Sequence, residues 1–184
     1  MTRVALDAMG GDNAPGEIVR GAVEAAVGLE DIKVILVGKQ DQIDAELAKY
    51  PKEVEKARKR GTLEVVPASE VLEMDDEPAK SVRAKKDCSI NVAMRLVKEG
   101  KADAFVSAGN SGAVSASAIF NLGRIRGVHR PAIAAILPTR RPIRPLLLLD
   151  AGANMDCHPD WLVQFSIMGS AYSKAVLKRT KPLV

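Results

Sequence analysis

The chain has 184 residues, of which 47% are apolar and 3% aromatic, with a formal charge of +4. That composition supplies one sizeable core of Ala, Val, Leu and Ile, as in helix-covered parallel sheets, and the length argues for a single domain over 1–184. Basic residues cluster at 52–60, 80–86, 124–130 and 140–144 without interleaved aromatics, which disfavours nucleic-acid binding and suits an anionic substrate or an acidic protein partner.

Strand and helix patterns alternate along the chain. Residues 3–7 read as a strand and 16–27 as a helix carrying Ile18, Val19, Ala22, Val23 and Ala26 on one face. The mostly β-branched run 32–37, broken only by Lys33 and closed by Gly38, predicts a buried parallel strand. Helices follow at 40–49 and 54–60, then a short strand at 63–66. The spacing of Ile90, Ala93, Met94 and Val97 predicts a helix over 89–100. A strand at 104–107, a helix of small residues at 111–122, strands at 132–137 and 146–149, and a long helix at 159–178 complete the pattern. Such alternation implies an α/β fold of right-handed βαβ units, with a mostly parallel sheet covered by helices on both faces. The terminal Lys181-Pro182-Leu183-Val184 resembles the start of a further strand, so the chain reads as a fragment.

Three polar segments sit at the carboxyl ends of predicted strands, where open α/β sheets hold their ligands. The first, at 7–15, contains Asp7, Gly10, Gly11, Asp12, Asn13 and Pro15. Its glycines permit a tight turn or close approach to a ligand, Asn13 can cap the next helix, and Pro15 suits that helix's first turn. The second, at 107–113, contains Ser107, Gly109, Asn110, Ser111 and Gly112 where a helix begins. Unpaired N–H groups and the positive end of the helix dipole make such a turn a candidate phosphate site; a simple capped turn is the alternative. The third, at 150–156, contains Asp150 and Asn154, which can hold a ligand or cap the helix opened by Pro159.

Weaker signals remain. The acidic run Asp75-Asp76-Glu77 before Pro78 leads to Lys80, Arg83, Lys85 and Lys86, either a solvated face or a source of cations for an anionic substrate. Arg124, Arg126, Arg130, Arg140, Arg141 and Arg144 can dock an acidic partner or form a solvated rim. Cys88 precedes a helix start, where a thiol pKa can fall. Cys88 and Cys157 make no disulfide framework and fit a reduced cytoplasmic protein. His129 and His158 form no metal pattern, and no run reaches the roughly 18 apolar residues of a membrane span.

The segments 7–15, 107–113 and 149–154, with Asp76-Glu77-Pro78, Lys80, Arg83 and Lys85, and Gln164 to Gly169, resemble the PlsX family of bacterial phosphate acyltransferases. The resemblance implies a three-layer α/β/α sandwich similar to the isocitrate and isopropylmalate dehydrogenases. It implies acyl transfer from acyl carrier protein to inorganic phosphate, giving acyl phosphate for glycerophospholipid synthesis. It also implies no cofactor or metal, a homodimer, no nucleic acid, and peripheral association with the inner membrane surface. Family proteins are roughly twice as long, and a later segment thought to contribute a lysine is outside this chain. With the resemblance, catalytic roles fall on Asp7, Asp12, Asn13 and Asn110. Substrate binding falls on Gly10, Gly11, Ser107, Gly109, Ser111, Gly112, Arg83, Asp150 and Asn154. Two rivals are an NAD-linked decarboxylating dehydrogenase, whose metal-binding aspartates and arginine cluster are not recognisable here, and a non-catalytic carrier-docking module.

Overall fold

The computed structural model describes residues 1–140 and 144–184; Arg141, one of the arginines singled out above, lies outside them. The chain forms two compact units, residues 1–123 and 124–184.

The first unit is built on four strands, β1 (Thr2–Asp7), β2 (Ile32–Gly38), β3 (Leu63–Pro67) and β4 (Ala104–Val106). All pair in parallel in the order β3-β2-β1-β4. Side-chain alternation along β2 explains its apolar run over 34–37, because each face of the sheet is buried there. Val34 and Leu36 pack with Val19, Ala22, Val23 and Ala26 of α1 (Gly16–Gly28). Ile43 of α2 (Gln40–Leu47) and Ala57 of α3 (Pro51–Arg60) complete that layer. On the opposite face Ala5, Ile35 and Val37 pack against Val92 and Ala93 of α5 (Ser89–Lys98). The result is the α/β/α layering expected from the alternation of patterns.

Two more helices flank the α5 layer. The basic stretch after the acidic run forms α4 (Pro78–Ala84), and the small-residue helix is α6 (Ser111–Asn121). Asn91 joins all three. Its Nδ2 donates to Val82 O at 2.8 Å and Lys85 O at 2.9 Å, and its Oδ1 accepts from Ser117 Oγ at 2.7 Å and Asn121 Nδ2 at 3.1 Å. A buried amide with every group engaged locks helix positions that apolar packing alone would leave free to slide.

The second unit departs from the parallel expectation. Its strands β5 (Ala135–Leu137) and β6 (Leu146–Leu148) form a separate antiparallel pair, and β5 is shorter than the predicted 132–137. The apolar runs match a strand in either orientation, and only the pairing partner sets the direction. Helix α7 (Pro159–Ala175) follows and buries Phe165. No helix among the described residues is long and apolar enough to cross a membrane.

Candidate functional site

Sheet register brings the first two polar segments together. Leu6 pairs with Val106, so Asp7 and Ser107 leave adjacent parallel strands side by side. Chain order reverses here, since β2 lies on one side of β1 and β4 on the other; such a switch point opens a crevice at the carboxyl ends of the strands. Asp7 is 1% exposed, and its Oδ2 accepts a 2.7 Å hydrogen bond from Ser107 Oγ. Asp7 Oδ1 accepts from Met9 N at 3.1 Å, and Ser107 Oγ accepts from Gly109 N at 3.0 Å. This partly buried chain of bonds ties the two turns into one knot. Gly11 turns the backbone with φ +99°, a conformation that favours glycine.

Asn110 stands at the N-terminus of α6, and its side chain is fully committed. Oδ1 caps the helix by accepting from Ala113 N at 3.0 Å, while Nδ2 donates to Met74 O at 3.0 Å and Asp76 O at 3.3 Å. Asp76 is in turn clamped to α4 and its neighbour. Lys85 Nζ donates to its Oδ2 at 2.6 Å, Glu73 N to the same oxygen at 2.8 Å, and Ser81 Oγ to Oδ1 at 3.1 Å. The Lys85 ammonium, with the Glu73 N–H, holds the Asp76 carboxyl below its ordinary pKa, and Asp76 raises the lysine in return. Lys85 also donates to Val71 O at 2.9 Å. The acidic run is therefore a splint for the α6 turn, a role its charge pattern did not announce. Ser111 and Gly112 are exposed in the first turn of α6, and their N–H groups have no intrahelical acceptor.

The remaining predicted residues are placed otherwise. Asp12 and Asn13 are exposed, and Asn13 does not cap α1: the N-cap is Pro15, without a side-chain bond, and Asn13 contributes its carbonyl to Glu17 N at 3.2 Å. Asp12 lines an open cleft of about 510 Å³ with Lys39, Gln42, Glu73 and Asp75. That cleft carries more carboxylates than cations, so an anion is better served by the α6 turn. The Arg83 guanidinium lies over the Phe120 ring, 4.6 Å from its centroid, at the far end of α6. Cys88 is fully buried, and desolvation pushes its thiol pKa up; burial overrides the lowering expected at a helix start.

Asp150 and Asn154 belong to the second unit and form their own knot. Asp150 Oδ1 accepts from Ile133 N at 2.7 Å, and Oδ2 accepts from Asn154 N at 2.7 Å and Asn154 Nδ2 at 3.0 Å. Burial alone would raise the Asp150 carboxyl, but these hydrogen bonds outweigh it and hold the pKa below the ordinary value. Asn154 Nδ2 also reaches Pro131 O at 3.1 Å. The cap of α7 falls on His158, not on this segment. Among the described residues no group of three or more His, Cys, Asp or Glu is placed to hold a metal ion.

A model of the family described as "Fatty acid synthesis protein" matches residues 2–184. A relative named phosphate acyltransferase from Nostoc punctiforme is 52% identical over 182 residues, covering 99% of this chain and 51% of the relative. Proteins of the same name from Trichodesmium erythraeum and Heliobacterium modesticaldum are 50% and 53% identical, each matched over 52% of its own length. The chain thus spans about half the length of the curated relatives it matches.

Proposed function

The chain belongs to the fatty acid synthesis protein family, and we propose that it carries the phosphate-binding part of an acyltransferase site. The proposed reaction moves an acyl group from acyl carrier protein to inorganic phosphate, giving acyl phosphate for phospholipid synthesis. What supports this reading is the convergence of two glycine turns at the point where strand order reverses, beside a capped helix N-terminus with exposed first-turn N–H groups. Phosphate is itself the nucleophile, so no acyl-enzyme is needed. A phosphate oxygen attacks the thioester carbonyl, the C–O bond forms, the C–S bond breaks, and the carrier leaves as its thiol after taking the proton released by phosphate.

Ser111 and Gly112 hold the phosphate in this scheme, and Asn110 acts by keeping the α6 terminus capped and in place. Asp7, buried and bonded to Ser107 Oγ, serves to fix Ser107 and not to bind the dianion, and exposed Asp12, with Asn13 beside it, is assigned as acceptor of the phosphate proton. Gly10 and Gly109 let the two turns meet through their bare Cα atoms and so fix the approach to the α6 terminus. Homodimerisation and attachment to a membrane surface belong to the same reading. The test is release of carrier thiol from an acylated acyl carrier protein as a function of phosphate concentration. Release that saturates with phosphate, and a fall of at least ten-fold in turnover for Asn110→Ala, are expected. Release indifferent to phosphate overturns the reading. A second reading, a carrier-docking or phosphate-binding module without turnover, is favoured by the match to half of each relative's length; its mark is binding of either ligand with no thiol release.

A further inference from the structure

The far end of α6 carries a feature that the phosphate turn does not use. An open cleft of about 430 Å³ is lined by Val82, Arg83, Lys86, Arg95, Phe120 and the amides of Asn91 and Asn121. Three of these residues are cations contributed by α4, the segment after it and α5, and no carboxylate lines the cleft. Arg95 is partly neutralised, with Nη1 donating to Lys86 O at 2.7 Å and Nη2 lying 3.6 Å from Asp87. Arg83 and Lys86 have no carboxylate partner among the described residues. The Arg83 guanidinium lies over the ring of Phe120, a residue that remains 43% exposed. Asn91 and Asn121 hold the cleft's floor rigid through their mutual bond and through Ser117.

A cleft lined by three cations and no carboxylate stands out in a unit whose formal charge is negative. Residues 1–123 hold 17 Lys and Arg against 20 Asp and Glu. An arginine stacked on an exposed aromatic, with a lysine beside it, is the composition of a protein-binding hot spot, where Arg and aromatic residues are enriched and Lys stays at the rim. A small inorganic anion would not need the exposed ring. Helix α6 separates this cleft from the phosphate turn by ten residues, or about 15 Å at the helical rise. A thioester at the tip of an extended pantetheine arm crosses a gap of that order.

We propose that this cleft is the docking site for the acidic protein that delivers the acyl group, with Arg83, Lys86 and Arg95 meeting its carboxylates and Phe120 packing against its apolar contact. The proposal rests on the acyl-transfer reading for the identity of the donor and places that donor at the opposite end of α6 from the acceptor. Electrostatic docking of this kind steers encounter and weakens with salt.

The experiment measures binding of an acylated acyl carrier protein to the chain by fluorescence anisotropy across ionic strengths, with inorganic phosphate followed separately by phosphorus NMR. Charge reversal by Lys86→Glu, at an exposed position that holds no fold contact through its side chain, and truncation by Arg83→Ala are each expected to weaken carrier binding at least ten-fold at low salt. Both should flatten its salt dependence, and Lys86→Glu should leave phosphate binding at its parental affinity. Carrier binding that is undiminished in Lys86→Glu, or absent in the parent chain, overturns the docking site. Loss of binding to anionic phospholipid vesicles or to phosphate alone in these variants, with carrier binding intact, overturns it too and reassigns the cleft. Failure of the phosphate titration with carrier binding retained strikes the acyl-transfer reading and not the docking site.

Discussion

A methyl group at Gly10 would sit 2.4 Å from Asp7 Oδ2, 2.8 Å from Gly109 N and 2.9 Å from Ser107 Oγ. All three neighbours belong to the hydrogen-bonded knot between β1 and β4, so none can move aside without breaking a bond. Gly10→Ala is therefore expected to lower stability by about 1–3 kcal/mol, as overpacking does in a closed core, and to do so through the site itself. Urea unfolding followed by circular dichroism measures the shift, and an unchanged midpoint would show that the two turns can part. Gly109 is crowded from the other side, where a methyl would lie 3.2 Å from Gly10 Cα. The sequence made these glycines visible as turn formers. Their real constraint, mutual contact between two turns a hundred positions apart, depends on the β1–β4 register and has no local signature.

Between elements, the parallel sheet is tied at its opposite end by Arg3 and Asp103. Arg3 N and Nε donate to Asp103 Oδ2 at 2.8 and 3.0 Å, and Nη2 donates to Oδ1 at 2.7 Å. These bonds hold the Asp103 carboxyl at a pKa of about 2, against an ordinary 3.8. A depressed acid contributes stability that is present above the unfolded pKa and lost as pH falls through the folded one. The melting temperature of Asp103→Asn should accordingly lie below that of the parent at neutral pH, with the gap closing as pH falls from 3.8 to about 2. A gap that persists at the acid end would mean that packing, and not ionisation, links the strands. Both groups are exposed, so the gap is expected to be small. At this scale the sequence is a good guide to helices with strong periodicity, such as α1 and α5, and to the buried run of β2. It is a poor guide where a residue's partner is remote. Asn13 carries the chemistry of a cap yet leaves that duty to Pro15, and Asp76 looks like a solvated charge yet organises α4, its own loop and the α6 turn. Lys86 and Arg95, which line the basic cleft, were hidden in a charge run and on a helix face.

For the molecule as a whole, the two units carry one free cysteine each, and they differ in burial. Cys88 is fully enclosed at the start of α5, with Leu72, Val82, Ile90 and Ala113 around it, whereas Cys157 is half-buried. A thiol reacts as its thiolate, and only when reagent can reach it. The enclosed sulfur, with its pKa raised by desolvation, is thus silent until its unit opens. Alkylation of Cys157 is expected to run quickly and independently of denaturant, while that of Cys88 should accelerate with urea in step with the first unit's own unfolding equilibrium. Equal rates for the two sulfurs, read by mass spectrometry of the peptides, would contradict this. The same buried thiol is a built-in stopwatch: without any label or mutation, its reaction half-life reports how often the layer of helices behind the α6 turn comes apart.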